Sequence, residues 1–119
     1  MTKKYYIIVL ILFVGLFSTQ GQSKGLFPTK LKVYVIDILG NFVEGAEVTL
    51  YKNKEDYLAS ENPKFKGLTN EKGWITFKKI DEIPYFIEVV KGDLRNYGKG
   101  VQVEDIEEGK KNKINIIVE

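Results

Sequence analysis

Neither cysteine nor histidine occurs in this 119-residue chain. The first absence removes disulfides, thiol nucleophiles, thiolate metal sites and any cysteine-linked lipid. The second removes the commonest general base and the commonest transition-metal ligand. An excess of one charge is missing too. Eighteen Lys+Arg face 16 Asp+Glu, a formal net charge of +2, without the basic patch and high pI of a nucleic-acid binder. The inventory therefore leads us to expect no catalytic residue, no cofactor, no metal and no nucleic-acid partner. At about 100–200 residues per domain, the length allows one domain.

Long hydrophobic runs are limited to one, Ile7 to Phe17 (IIVLILFVGLF), preceded by Lys3 and Lys4 and followed by the small polar stretch Ser18 to Ser23. A charged start, an apolar stretch of about 7–15 residues and a small-residue cleavage site make a secretory signal peptide. The cut is placed after Gly21, with Thr19 and Gly21 at the small positions and Gln22 as the new N-terminus; a cut after Ser23 is the alternative. An uncleaved anchor is the rival reading, disfavoured because a spanning helix needs about 20 apolar residues. The expected organisation is a signal peptide over 1–21, a lead-in over 22–30 and one domain over 31–119. The product is exported, to the periplasm or the cell surface, and is not a lipoprotein. Its only membrane contact would be the signal segment, if retained.

Beyond Gln22, strand-like segments recur at spacings of about 8–12 residues with turn signals between them, the pattern of an all-β sandwich or barrel. Leu31 to Ile38 places Leu31, Val33 and Val35 on one face, and Ala46 to Lys52 places Ala46, Val48 and Leu50 on one face, because side chains alternate along a strand. The clean alternation of the second segment predicts a sheet with one wet side. Asn53 to Pro63 lacks that alternation and reads as a loop, with Asn53 capping a single helical turn through Leu58. Phe65 to Thr69 is a weak strand interrupted by Gly67, and Asn70 to Gly73 is a type I turn candidate. Trp74 to Phe77 and Tyr85 to Lys91 are further strands, the first pointing Ile75 and Phe77 inward. Gly92 to Gly100 reads as a glycine-rich loop. Val101 to Ile106 and Ile114 to Val118 complete seven strands, joined by charged Glu107 to Lys113. That number in about 100 residues matches an immunoglobulin-like sandwich.

The series Val33 to Tyr51 (VYVIDILGNFVEGAEVTLY), Thr69 to Phe77 (TNEKGWITF), Ile80 and Pro84-Tyr85 resembles the carboxypeptidase regulatory-like domain, a transthyretin-like (prealbumin-like) β-sandwich of secreted bacterial proteins. The resemblance covers residues 31 to 92, and the tail looks like small stand-alone members from Bacteroidetes-type bacteria. It implies an accessory domain and no peptidase, and function has to be argued from a site rather than a fold. Transthyretin-like hydrolases of hydroxyisourate use histidines, which this chain lacks. Collagen-adhesin B-type domains form a Lys–Asn isopeptide bond with Lys two residues before an Asp; here Val35 stands at that spacing before Asp37, so no cross-link is expected. No GxSxG elbow is present.

Eleven aromatics follow Gly21. Phe77 and Tyr85 read as core. Trp74, Tyr57 and Tyr97 are the candidate ligand contacts, together with Phe86 as a further exposed aromatic and Asp93 and Asn96 in the glycine-rich loop. Calcium oxygens could come from Asp93 and Asn96, or from Asp81 with Glu82, though neither pair fits EF-hand spacing. The expected role is a secreted, non-enzymatic module for binding, adhesion or envelope structure, its partner an envelope protein or a glycan. The alternative is a small carbohydrate-binding domain using Trp74 and Tyr97. Once Lys3 and Lys4 leave with the signal peptide, the basic and acidic side chains balance at 16 each. That sum gives no electrostatic preference for DNA or for acidic membranes.

Overall fold

A computed structural model describes residues 27–98 and 101–119. The expected leader and most of the lead-in lie outside the described residues. Eight strands and one short helix follow in chain order: β1 (Lys30–Asp37), β2 (Glu47–Tyr51), α1 (Lys54–Ala59), β3 (Phe65–Leu68), β4 (Trp74–Phe77), β5 (Tyr85–Lys91), β6 (Leu94–Arg95), β7 (Gln102–Val103) and β8 (Lys111–Val118). The first sheet has the order β4-β1-β8; the second is β3-β2-β5-β6, with β7 also paired to β5. The all-β sandwich matches the sequence reading, with one more strand than the alternation reveals.

β1 is antiparallel to β4 but parallel to β8, over eight registered pairs from Lys30↔Lys111 to Asp37↔Val118. The first and last strands of the domain are thus neighbours. Parallel neighbours need a long crossover, and the whole second sheet supplies it. At the far end of β8, Glu119 and Arg95 exchange two backbone hydrogen bonds of 3.0 and 3.1 Å, which tie the first sheet to β6 of the second.

Alternation sets the core. Leu31, Val33 and Val35 from β1 meet Ala46, Val48, Leu50, Tyr85, Ile87 and Val89 from the second sheet, all at 0% exposure. Phe77, Ile116 and Val118 join them. Full burial of a Val, Leu or Ile side chain contributes about 1.5–3 kcal/mol each, so this layer is the main source of stability.

Five segments differ from the sequence reading. β8 begins at Lys111, three residues before the expected Ile114, because Asn112 bonds the β1 carbonyl of Lys30 through Nδ2 (3.0 Å) and extends the pairing. The expected strand Val101 to Ile106 shortens to Gln102–Val103, and Leu94–Arg95 inside the expected loop pairs with β5 instead. The wet side of β2 shrinks to Glu47, since Thr49 and Tyr51 are each only 3% exposed. The reason is α1, whose Asn53 cap accepts a hydrogen bond from the Asp56 N–H (2.8 Å) and which packs on β2 and β5. Gly67 does not interrupt β3. It leaves room for Ile75 of the facing sheet, whose Cδ1 fills the space a Cβ at position 67 would take.

Candidate binding surfaces

Short polar side chains hold the loops by bonding backbone groups. Asp37 Oδ1 accepts from Leu39 N–H (3.0 Å) and Asn41 N–H (2.9 Å), fixing the β1–β2 turn. Thr69 Oγ1 accepts from Ala46 N–H (2.9 Å) and donates to Val43 O (2.6 Å). Asn70 Oδ1 accepts from Lys72 and Trp74 N–H groups while its own N–H donates to Trp74 O (2.9 Å), so both backbone groups of Trp74 are occupied. Capping of this kind blunts β4 as an edge for further pairing. Gly73, the last residue of that turn, has φ +80° and lies against Phe42 and Val43, where any Cβ would collide.

Asn96, one of the expected contact residues, is only 3% exposed. Its Oδ1 accepts from Val89 N–H and its Nδ2 donates to Ile87 O, both at 2.9 Å. Its amide therefore continues the β5 ladder between β6 and β7, where no strand residue reaches. Asp93 sits exposed in the turn joining β5 to β6. Tyr57 projects from α1, and Tyr97 is 71% exposed beside Arg95, whose guanidinium carbon is 5.6 Å from the ring centre. Trp74 lies in β4 of the first sheet and Tyr97 in the turn after β6 of the second, so the two are held by different sheets.

The outer face of the first sheet carries the even-numbered side chains of β1 and β4 and the odd-numbered ones of β8. Lys30 and Lys32 stand opposite Lys111 and Lys113; Tyr34 stands opposite Trp74 on one side and Asn115 on the other; Ile36 stands opposite Ile117. Lys32 Nζ is 4.0 Å from the Trp74 ring centre and 4.9 Å from that of Tyr34. Phe42 pairs with Ile36 by an isolated bridge and packs its ring 6.0 Å from Tyr34. The Lys32 ammonium, placed to share a hydrogen with the phenol oxygen, and then the charges of Lys32, Lys113 and Lys111 hold the Tyr34 hydroxyl below the ordinary tyrosine range. Lys30, Lys78 and Lys111 also line a groove of about 400 Å³ beside Trp74. Among the described residues the ion pairs are Lys66–Glu47 and Lys110–Glu107, and neither involves this face.

The outer face of the second sheet is covered at the α1 end, while Glu47 and Lys66 at its other end stay exposed as an ion pair. Tyr57 packs 5.9 Å from both Tyr51 and Phe86. Burial first, and then the Glu88 carboxylate, raise the hydroxyls of Tyr51 and Tyr57, with Tyr97 adding to the effect on Tyr57. Another concavity, about 600 Å³, lies where the chain enters β1 and is lined by Thr29, Ile80, Asp81, Glu82 and Glu108. No group of three or more Asp and Glu among the described residues is arranged to hold a metal ion. No helix among them is long and apolar enough to cross a membrane.

The lysine quartet was missed by the sequence reading. Lys30, Lys32, Lys111 and Lys113 look like dispersed charges until the first and last strands are known to be neighbours.

No protein-family model matches the chain, and no curated protein matches it either. Solved structures do. The chain is similar to the Bacillus anthracis TIE protein (TM-score 0.58, 20% identity, over 78% of this chain and 16% of that one). It is also similar to the shaft pilin spaA from Lactobacillus rhamnosus GG (TM-score 0.50, 13% identity, over 76% and 47%). A third likeness is BcpA, the major pilin subunit of Bacillus cereus (TM-score 0.50, 17% identity, over 77% and 30%). The chain spans less than half the length of each. These likenesses establish the β-sandwich fold.

Proposed function

We propose that this chain is an exported, non-enzymatic β-sandwich module with a binding, adhesive or structural role in the cell envelope. The observation that carries the reading is the use made of its polar side chains. Asp37, Thr69, Asn70, Asn96 and Asn112 all bond backbone and fix the loops, and what remains for a partner is a flat sheet face presented by a rigid frame. Two of the similar structures are pilin subunits by name, which supports a building or adhesive role. The apolar run Ile7 to Phe17 behind Lys3 and Lys4 supports export. The carboxypeptidase regulatory-like resemblance, seen in Val33 to Tyr51 and Thr69 to Phe77, agrees with an accessory module.

The test is expression with the native N-terminus in a bacterium, followed by fractionation, intact-mass measurement and cross-linking in the envelope. The expected product lies outside the cytoplasm, has a mass beginning at Gln22 and cross-links to an envelope component. A cytoplasmic chain of full mass would overturn the reading.

A further inference from the structure

The formal charge of the mature chain sums to zero, but its distribution on the first sheet is one-sided. Four lysines occupy one half of that outer face in two opposed pairs, Lys30↔Lys111 and Lys32↔Lys113. Like charges set directly opposite one another oppose folding, and no carboxylate among the described residues pairs with any of the four. The other half of the same face is apolar. Ile36 and Ile117 stand opposite each other, Phe42 and Ile117 are exposed, and Ile38 and Leu39 crown the adjoining turn at 66% and 82% exposure. Asp37 holds that crown with two side-chain hydrogen bonds, and its carbonyl accepts from Gly40 N–H at 3.0 Å. The two aliphatic side chains are therefore presented to solvent by a fixed loop.

From this juxtaposition of an unpaired lysine quartet with an exposed aliphatic half on one flat face, we propose that the outer face of the first sheet docks on an anionic lipid bilayer. The lysines meet the headgroups, and Ile38, Leu39, Phe42 and Ile117 enter the boundary with the acyl chains. Charge complementarity selects an anionic surface, and the apolar half selects lipid, since a soluble polyanion leaves those side chains uncovered. A second copy in the same pose is disfavoured because it sets lysine quartet against lysine quartet. Trp74 and Tyr34 lie between the two halves, the position amphipathic rings take at a membrane interface. Each lysine brought near an anionic leaflet strengthens binding about fivefold. The inference rests on the export reading only for the compartment. Export is measured in cells and docking in vitro, so the two fail separately.

Trp74 is the only tryptophan in the chain and reports directly on this face. The experiment mixes the purified full-length chain with vesicles of phosphatidylcholine, alone or with an equal amount of phosphatidylglycerol, carrying brominated acyl chains that quench indole fluorescence. Residues 1–23 contain no tryptophan, and any tethering by the apolar run with Lys3 and Lys4 is common to the native chain and to Lys32→Gln/Lys113→Gln, so the difference between those two reports on this face. The expected result is Trp74 quenching that requires phosphatidylglycerol and weakens as salt is added. The double variant Lys32→Gln/Lys113→Gln then binds about 25-fold more weakly, Leu39→Ser reduces the quenching, and Lys66→Gln on the second sheet leaves it unchanged. Thermal melts of each variant separate loss of docking from loss of fold. Equal quenching on both vesicles, no quenching on either, or indifference to Lys32→Gln/Lys113→Gln would overturn the proposal. A stronger Trp74 response to soluble poly-glutamate or polygalacturonate than to vesicles would also overturn it, and would assign the face to an acidic polymer.

Discussion

The two outward faces of this sandwich come from the same alternation of side chains and end in opposite states. On the second sheet, α1 lies over β2 and β5 with Tyr57 on Tyr51 and Phe86, Tyr51 is buried, and the Tyr51 and Tyr57 hydroxyls are raised by burial and by Glu88. On the first sheet nothing among the described residues covers β1, β4 and β8 from outside; lysines oppose lysines, and the Tyr34 hydroxyl is lowered by Lys32 and its neighbours. One face therefore adds to stability by burying aromatic surface. The other keeps like charges in register at some cost to stability. A surface that lowers stability with no internal partner is where an external partner is to be sought, and this contrast motivates the docking proposal.

The contrast can be broken first where the second sheet depends on a side chain for its ladder. Asn96→Ala leaves Val89 N–H and Ile87 O buried without partners, and urea denaturation should show a loss of about 3 kcal/mol, as two orphaned groups cost about 1–3 kcal/mol each. Gly67→Ala forces Ile75 out of its position between the sheets, an overpacking worth about 2 kcal/mol in the same assay. Tyr57→Ala uncovers Tyr51 and Phe86, with an expected loss of about 1.5 kcal/mol. In that variant the Tyr51 hydroxyl titrates closer to its ordinary value.

Alkaline titration sharpens the comparison without mutation. Tyr34 ionises before Tyr51, Tyr57 and Tyr85 in a phenolate absorbance titration. For the three raised groups the folded state holds its protons more tightly than the unfolded chain does. Their contribution is complete below a pH of about 10 and is lost as pH rises through the folded values. The thermal midpoint should therefore fall above that pH, and less steeply in Tyr57→Phe. The smallest effect has the opposite sign. Lys113→Gln relieves a like-charge pair while leaving Lys32 on the Trp74 and Tyr34 rings, and should raise stability by about 0.5 kcal/mol. A loss of stability in that variant would remove the argument that the first-sheet face opposes folding.

Much of this architecture was legible in short-range pattern. Leu31, Val33 and Val35 declared the inner face of β1 by period, Ala46, Val48 and Leu50 did so for β2, and Asn53 announced α1 by its capping chemistry. Such signals depend on neighbours a few residues apart. The candidate site was less legible. Asn96 in a glycine-rich stretch read as a free loop side chain, whereas its amide stands in for a strand residue across seven to nine positions of sequence. Trp74 and Tyr97 read as a pair, and the topology puts Trp74 in the first sheet and Tyr97 in a turn that follows β6 of the second. The β2 alternation predicted a wet side because nothing in those five residues reveals that a helix after Tyr51 folds back over them.

By itself the sequence determined that cysteine and histidine chemistry are absent, that the domain is all-β, and that the formal charges from Gln22 onward sum to zero. Composition and period are local or additive properties, and they survive any arrangement in space. The tertiary structure alone decided that β1 and β8, at the two ends of the domain, lie parallel and side by side. That pairing brings Lys30 and Lys32 against Lys111 and Lys113 across about 80 residues of chain, and turns a neutral sum into a cationic face beside exposed Ile38 and Leu39. Charges add without regard to position, but a field at a surface falls off with distance. Only the fold could set which lysines act together.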